Sequence, residues 1–213
     1  MKTLEFWFDP ISPYAWLAFD ALPDALEGLS YEVSYRPVLI AGLLAHWGQK
    51  GPAEIEPKRA WTYRDVLWRA HRQGLALELP LQHPFNPLPL LRLAVACAPT
   101  GQQPSRHVVE TLFRHVWQGG GDAVDASRLT ALQQQLKPVR DPASAEVKQE
   151  LRENTEQAIA HQLFGVPSIQ VDQKVFWGAD ALPALSEYLR GNPWFSGPDW
   201  DAAAAPRGGL RRS

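Results

Sequence analysis

Cysteine is nearly missing from this chain: Cys97 stands alone among 213 residues. One thiol cannot close an internal disulfide, and its neighbours Leu93, Ala94, Val95, Ala96 and Ala98 read as an apolar helix into which it packs. A reactive thiol needs an electropositive, partly open setting, so no catalytic role is assigned to it. A marked excess of either charge is missing too. With 21 Lys and Arg against 23 Asp and Glu, the formal charge is -2, which leaves no basic footprint for nucleic acid or an anionic membrane surface. No apolar run approaches the roughly 18 residues needed to span a bilayer, and Met1-Lys2-Thr3 leads into a strand without a cleavable apolar core. The expectation is a soluble cytoplasmic protein with neither nucleic acid nor membrane as a partner. The histidines lack the clustered spacing of a metal site, so no metal is assigned. No segment repeats another.

What is present is enough apolar material for a core, 45% of residues, in a chain long enough for one domain with an insertion or for two small ones. The organising stretch is Phe6-Trp7-Phe8-Asp9-Pro10-Ile11-Ser12-Pro13-Tyr14-Ala15-Trp16. Residues 4–8 form an apolar strand suited to burial on both faces. After a turn, Ser12-Pro13 opens a helix running to about residue 26, with Gly28 just beyond it. Serine is a favoured N-cap, proline at the first helical position loses no hydrogen bond, and the outward N–H groups with the helix dipole favour an anion. Ser12 is therefore either a simple cap or the seat of chemistry. Tyr31, Val33 and Tyr35 alternate with polar residues in a half-buried second strand, closed by Pro37 and parallel to the first.

From residue 39 to 163 helical periodicity replaces strand signal, with helices at about 39–47, 57–74, 88–98, 105–117, 126–136 and 143–163. The proline-dense loop Pro80-Leu81-Gln82-His83-Pro84-Phe85-Asn86-Pro87 is too stiff for a helix or a central strand. Strand pattern returns after Val166-Pro167 at residues 168–172, with a tight turn at Gln173-Lys174 and a returning edge at 175–177. Gly178-Ala179-Asp180 opens a last helix to about residue 190, with Asp180 as its natural N-cap. The division is thus residues 1–38 with 164–196 as one unit, 39–163 as a helical insertion, and 197–213 as a disordered tail. The nine tryptophans are read mainly as core, and Arg64-Asp65 as a structural pair.

A β-α-β start, a helical insertion and a β-β-α end resemble the thioredoxin-like α/β fold with an inserted all-helical, DsbA-type domain. In that fold the active motif lies between the first strand and first helix, and a cis Val-Pro peptide faces it. The two redox-cysteine positions are here Ser12 and Ala15, so dithiol chemistry is absent. Phe8-Asp9 with Ser12-Pro13-Tyr14, Lys58 with Arg64-Asp65, His83-Pro84-Phe85-Asn86, Asn154-Thr155-Glu156, Phe164-Gly165-Val166-Pro167 and Phe176-Trp177-Gly178-Ala179-Asp180 together resemble the 2-hydroxychromene-2-carboxylate isomerases, relatives of kappa-class glutathione transferases. The resemblance spans about residues 3–195. It implies glutathione as cofactor, held by Ser12, Pro13, Tyr14, Gln49, Lys58, Val166, Pro167, Asp180 and Ala181. Ser12 would hold the sulfur, Lys58 the carboxylate end, the Val166 backbone the cysteinyl part, and Asp180 with Ala181 the γ-glutamyl end. The family often has Asn in place of Gln49, Arg in place of Ala181 and Gly in place of Gln162. The missing Arg bears on how the γ-glutamyl end is held, and Gln162 on the conformation of its turn.

A free thiol, with a pKa of about 8.5, is mostly protonated at neutral pH, and a hydroxyl donor at a helix N-terminus stabilises its thiolate. Ser12 is expected to be that catalytic donor rather than a nucleophile, because no base to activate it lies nearby in sequence. The resemblance implies a small aromatic carboxylate as substrate, isomerised from a chromene to a trans-benzylidenepyruvate, and a homodimer. Trp7, Trp61, Phe85 and Asn86 are candidates for the substrate slot. Two other readings stand beside the isomerase: a kappa-like transferase that conjugates glutathione, and a redox-inactive thioredoxin-like module that binds peptides.

Overall fold

The structure, a computed structural model, describes residues 1–203. Four strands, β1 (Lys2–Phe8), β2 (Tyr31–Pro37), β3 (Ser168–Val171) and β4 (Lys174–Trp177), form one sheet in the order β2-β1-β3-β4. β1 and β2 are parallel, β3 runs antiparallel to β1, and β4 antiparallel to β3. Strands from the two ends of the chain thus meet in one sheet, and residues 39–163 supply helices and no strand. The helices are α1 (Pro13–Ala25), α2 (Ile40–His46), α3 (Glu56–Gln73), α4 (Leu88–Ala96), α5 (Arg106–Trp117), α6 (Ala126–Leu136), α7 (Ala145–Ala160), α8 (Leu182–Leu189) and α9 (Pro198–Ala203). None of them is long and apolar enough to cross a membrane.

β1 is apolar on both faces because both are covered. Leu4, Phe6 and Phe8 enter the main core with Trp16, Phe19 and Leu22 of α1 and Phe113 of α5. Trp7 points the other way, against Leu43 of α2, Ala158 of α7, Leu163 and Val166. A strand with both faces covered reads as a near-continuous apolar run, as the sequence does here. α3 then lies across α1: Val66 and Ala70 pack on Leu17 and Tyr14. α7 closes in a Schellman turn, with the Gln162 N–H on the Ile159 carbonyl at 2.8 Å and the Leu163 N–H on the Ala158 carbonyl at 2.9 Å. The turn requires left-handed backbone, and Gln162 adopts it with φ of 59°. That answers the conformational question posed by the missing glycine.

Five local expectations are corrected. The hairpin turns at Asp172-Gln173, so that Val171 pairs with Lys174; Asp172 supplies the left-handed φ of 55°, which Asp tolerates better than Gln or Lys. Asp180 is not an N-cap. Gly178, at φ of 93°, starts a 3₁₀ turn (Ala179–Ala181), and α8 begins only at Leu182 with Pro183 in its first turn. Within the stretch assigned to the tail, residues 198–203 form α9, whose Trp200 packs on Phe176 and Phe195; residues 204–213 lie outside the described part. Only some tryptophans are core: Trp7, Trp16 and Trp117 are fully covered, whereas Trp47, Trp61, Trp68, Trp177 and Trp194 are 40–65% exposed. Asp65 is structural, but its partner is Arg69 at 2.7 Å and not Arg64.

Candidate active site

Ser12 sits between β1 and α1 as the helix N-cap, 7% exposed. Its Oγ accepts from the Ala15 N–H at 3.2 Å and donates to the Val166 carbonyl at 3.4 Å. The second contact is near the limit of a hydrogen bond, so the hydroxyl proton is only weakly committed. The Val166-Pro167 peptide is cis. This turn is fixed from behind by the Ser168 hydroxyl on the Gly165 carbonyl at 2.8 Å and by the Gly178 N–H on the Pro167 carbonyl at 2.9 Å. A side chain at Gly165 would strike the Trp177 ring, with the indole nitrogen only 2.9 Å from its Cβ position. Among the described residues neither the Tyr14 nor the Val166 N–H has a partner. The Ser12 hydroxyl thus meets the Val166 turn at the start of α1, with these two N–H groups on either side of the contact in sequence.

The turn that carries Ser12 is anchored at every carbonyl. The Ser12 N–H donates to the Asp9 carbonyl at 3.0 Å, the Trp117 indole N–H to Pro10 at 2.9 Å, His83 Nε2 to Ile11 at 2.9 Å, and the Ala15 N–H to Ser12 at 3.1 Å. Asp9 itself is fully buried, and its carboxylate accepts from the Ile11 N–H at 3.1 Å and the Ile40 N–H at 3.0 Å. Burial pushes the Asp9 carboxyl up to about 7 against the opposing pull of those two N–H groups. Burial also lowers the His83 pKa. Sequence reasoning carried Phe8-Asp9 and His83-Pro84 as motifs without a role, and Trp117 gave no signal because its partner lies 107 positions away.

The other expected residues fall into two groups. Tyr14 is tied to α3 through its hydroxyl on Asp65 at 2.9 Å, and burial, with the Asp65 charge, pushes it up to about 12. It is therefore an anchor between α1 and α3. The 3₁₀ turn with Asp180 and Ala181 lies against α1, Ala179 packing beside Tyr14 and Leu17. Gln49, Lys58 and Asp180 are exposed, and no side-chain partner is found for them among the described residues. Of the slot candidates, Trp7 is fully covered in the core beneath α2 and α7 and cannot wall an open cleft. Trp61 is 65% exposed on α3. Phe85 is half-buried against the main core, and Asn86 Oδ1 accepts from the Leu88 N–H at 3.1 Å at the start of α4. The Cys97 thiol is pushed up to about 11 by burial, as a packed and unreactive thiol should be. A cleft of about 750 Å³, lined by Pro23, Glu32, Gln103 and Arg106, lies at the far end of α1 and includes none of these residues.

Comparison with known proteins agrees with this architecture. Residues 3–190 match the DSBA-like thioredoxin domain family. A 2-hydroxychromene-2-carboxylate isomerase of Sphingobium xenophagum is 30% identical over 198 residues, covering 88% of this chain and 98% of the relative. Glutathione S-transferase kappa 2 of Caenorhabditis elegans is 28% identical over 208 residues, covering 88% and 92%. A solved 2-hydroxychromene-2-carboxylate isomerase superposes with a TM-score of 0.76 at 21% identity, over 93% of this chain and 98% of that one. With its Ser12 turn facing a cis-proline in a four-stranded sheet, the chain belongs to the 2-hydroxychromene-2-carboxylate isomerase family of DsbA-like thioredoxin-fold proteins.

Proposed function

We propose that this protein is a glutathione-dependent isomerase of small aromatic carboxylates, interconverting a 2-hydroxychromene-2-carboxylate and a trans-benzylidenepyruvate. The observation that carries the reading is the Ser12 corner: a weakly committed hydroxyl, the Tyr14 N–H at the start of α1 and the Val166 N–H of the facing turn, both without partners among the described residues, in a fold whose redox cysteines are absent. These groups fit a thiolate with an adjoining peptide backbone. Ser12 donates to the sulfur, and giving up a 3.4 Å bond to Val166 costs it little. The helix dipole adds to the preference for the anion, and Pro13 leaves the first turn open at no cost in hydrogen bonds. The Val166 N–H and carbonyl, next to the cis-Pro167, would pair with the cysteinyl backbone. Lys58 and Asp180, with opposite charges and no side-chain partners among the described residues, suit the carboxylate and ammonium ends, and Gln49, Tyr14 and Ala181 are proposed to assist them.

Bound glutathione would supply a nucleophilic sulfur whose reversible addition, with opening of the hemiketal ring, turns the double bond into a rotatable single bond before the thiolate leaves and the double bond re-forms as trans. Trp61, Phe85 and Asn86 remain the chain's candidates for holding the aromatic carboxylate. The kappa-class relative supports a second reading on the same corner, in which glutathione stays in the product. The deciding experiment follows chromene isomerisation with and without glutathione and analyses the products. The isomerase reading expects turnover only with glutathione and full recovery of it. Consumption of glutathione into a conjugate favours the transferase, and no binding at millimolar glutathione by calorimetry overturns both.

A further inference from the structure

We propose that His83, in the loop between α3 and α4, is a positioning residue for Ser12, acting through the carbonyl of Ile11. A carbonyl oxygen only accepts, so the 2.9 Å contact to Ile11 places the hydrogen on His83 Nε2. Nδ1 is then the acceptor for the Tyr63 hydroxyl at 2.8 Å. The ring is wedged edge-on to Phe85 at 6.1 Å and against Trp117 at 5.4 Å. Trp117 in turn donates to Pro10, the preceding carbonyl of the same turn. Two donors from the helical region therefore grip consecutive carbonyls immediately before the serine.

The grip has a chemical consequence that rests on the glutathione reading above. A helix N-terminus and a hydroxyl stabilise a thiolate only if they converge on one point, and a displacement of about 1 Å weakens such a constellation severely. Residues 10–12 belong to a turn, which no sheet ladder holds. Its conformation is imposed by His83, Trp117 and the two N–H contacts of Asp9.

Two substitutions separate the role from simple packing. His83→Gln keeps an N–H donor at the reach of Nε2, whereas His83→Asn offers its donor only near the Nδ1 position. Amide exchange is measured without glutathione, and the ultraviolet absorbance of bound thiolate is then titrated with pH. Leu91→Ala, in a core cluster under α7 that does not touch the turn, reports what loss of packing alone does. The expected result for His83→Asn is exchange at Ile11 and Ser12 at least tenfold faster and a bound-thiol pKa about one unit higher, with His83→Gln restoring both and Leu91→Ala changing neither. Equal behaviour of His83→Asn and wild type overturns the proposal, as does failure of His83→Gln to differ from His83→Asn. If wild type shows no thiolate band, the glutathione reading falls while amide exchange still decides the positioning role. If His83→Asn does not fold, His83→Gln decides alone: wild-type exchange and thiol pKa support the proposal, and departure in both overturns it.

Discussion

Around Ser12 the carbonyls of Asp9, Pro10, Ile11 and Ser12 all have donors, whereas Gln49, Lys58 and Asp180 reach into solvent with no side-chain partner among the described residues. The first region is built before any ligand arrives. On the proposed function the second would be assembled by the ligand, which orders three side chains on binding. The contrast suits a site in which chemistry occurs at a sulfur while the rest of the molecule is merely retained: preorganised donors favour reaction, and adaptable charges supply affinity. It also predicts that substitutions in the first region change turnover or stability, and those in the second change affinity.

The largest expected effect tests whether the rigid region is held by a buried charge. Asp9 has its carboxyl raised to about 7 in the fold, against about 4 in an unfolded chain. The folded state therefore favours the protonated form. That contribution is fully present below about pH 4 and is lost as pH rises through about 7. Asp9→Asn is neutral throughout and offers an acceptor at only one of the two oxygen positions that Ile11 and Ile40 use. Wild type should be the more stable of the two in acid, and its advantage should shrink by about 3–4 kcal/mol between pH 4 and pH 8. Urea unfolding across that range reads the difference directly. A difference independent of pH would mean that the two N–H bonds outweigh burial and Asp9 ionises normally.

Next in size is Ser12→Ala. On the proposed function it lowers turnover about a hundredfold, the loss typical of one donor to a developing or stabilised anion, and leaves the KM for glutathione within about threefold. It also removes the cap of α1, which costs about 1 kcal/mol and appears as a lower Tm. Steady-state kinetics in both substrates separates these effects. Equal losses in turnover and glutathione affinity would place Ser12 in the binding region instead.

This division was only half legible in the sequence. Ser12 and the Val166-Pro167 turn are marked by local signals, a Ser-Pro helix start and a proline before a strand, and topology brings them together through the pairing of β1 with β3. What holds the turn was not legible. His83 meets Ile11 across 72 positions and Trp117 meets Pro10 across 107, and no spacing rule links residues that meet only when helices pack on a sheet. The tryptophans show the same limit: Trp7 and Trp177 both sit on strands, one sealed between layers and the other half exposed on the edge strand β4. Composition cannot distinguish them.

Lys58→Met sharpens the solvent-facing half. An exposed cation contributes about 1 kcal/mol or less to a charge contact, so the KM for glutathione should rise about fivefold, with turnover at saturation and Tm unchanged. Because the contact is screened, added salt should raise the wild-type KM toward that of the variant. A KM insensitive to salt, or a loss confined to turnover, would move Lys58 away from the ligand's carboxylate.

The smallest effect concerns a flaw in the rigid region. Gln162 holds a left-handed conformation, φ 59°, in the turn that leads from α7 to Val166. An ordinary L-residue there costs roughly 1 kcal/mol relative to glycine, which meets no Cβ clash. Its side chain is exposed, so truncation sacrifices little packing. Gln162→Gly should therefore stabilise the protein by about 0.5–1 kcal/mol, partly offset by the greater freedom of glycine when unfolded. Since both Schellman hydrogen bonds are backbone to backbone, the position of Val166 should not change, and turnover should stay at the wild-type value. Thermal unfolding and kinetics on the same preparation test both statements. A variant that gains stability but loses turnover would show that the strain at Gln162 is transmitted to Val166 and helps set its distance from Ser12.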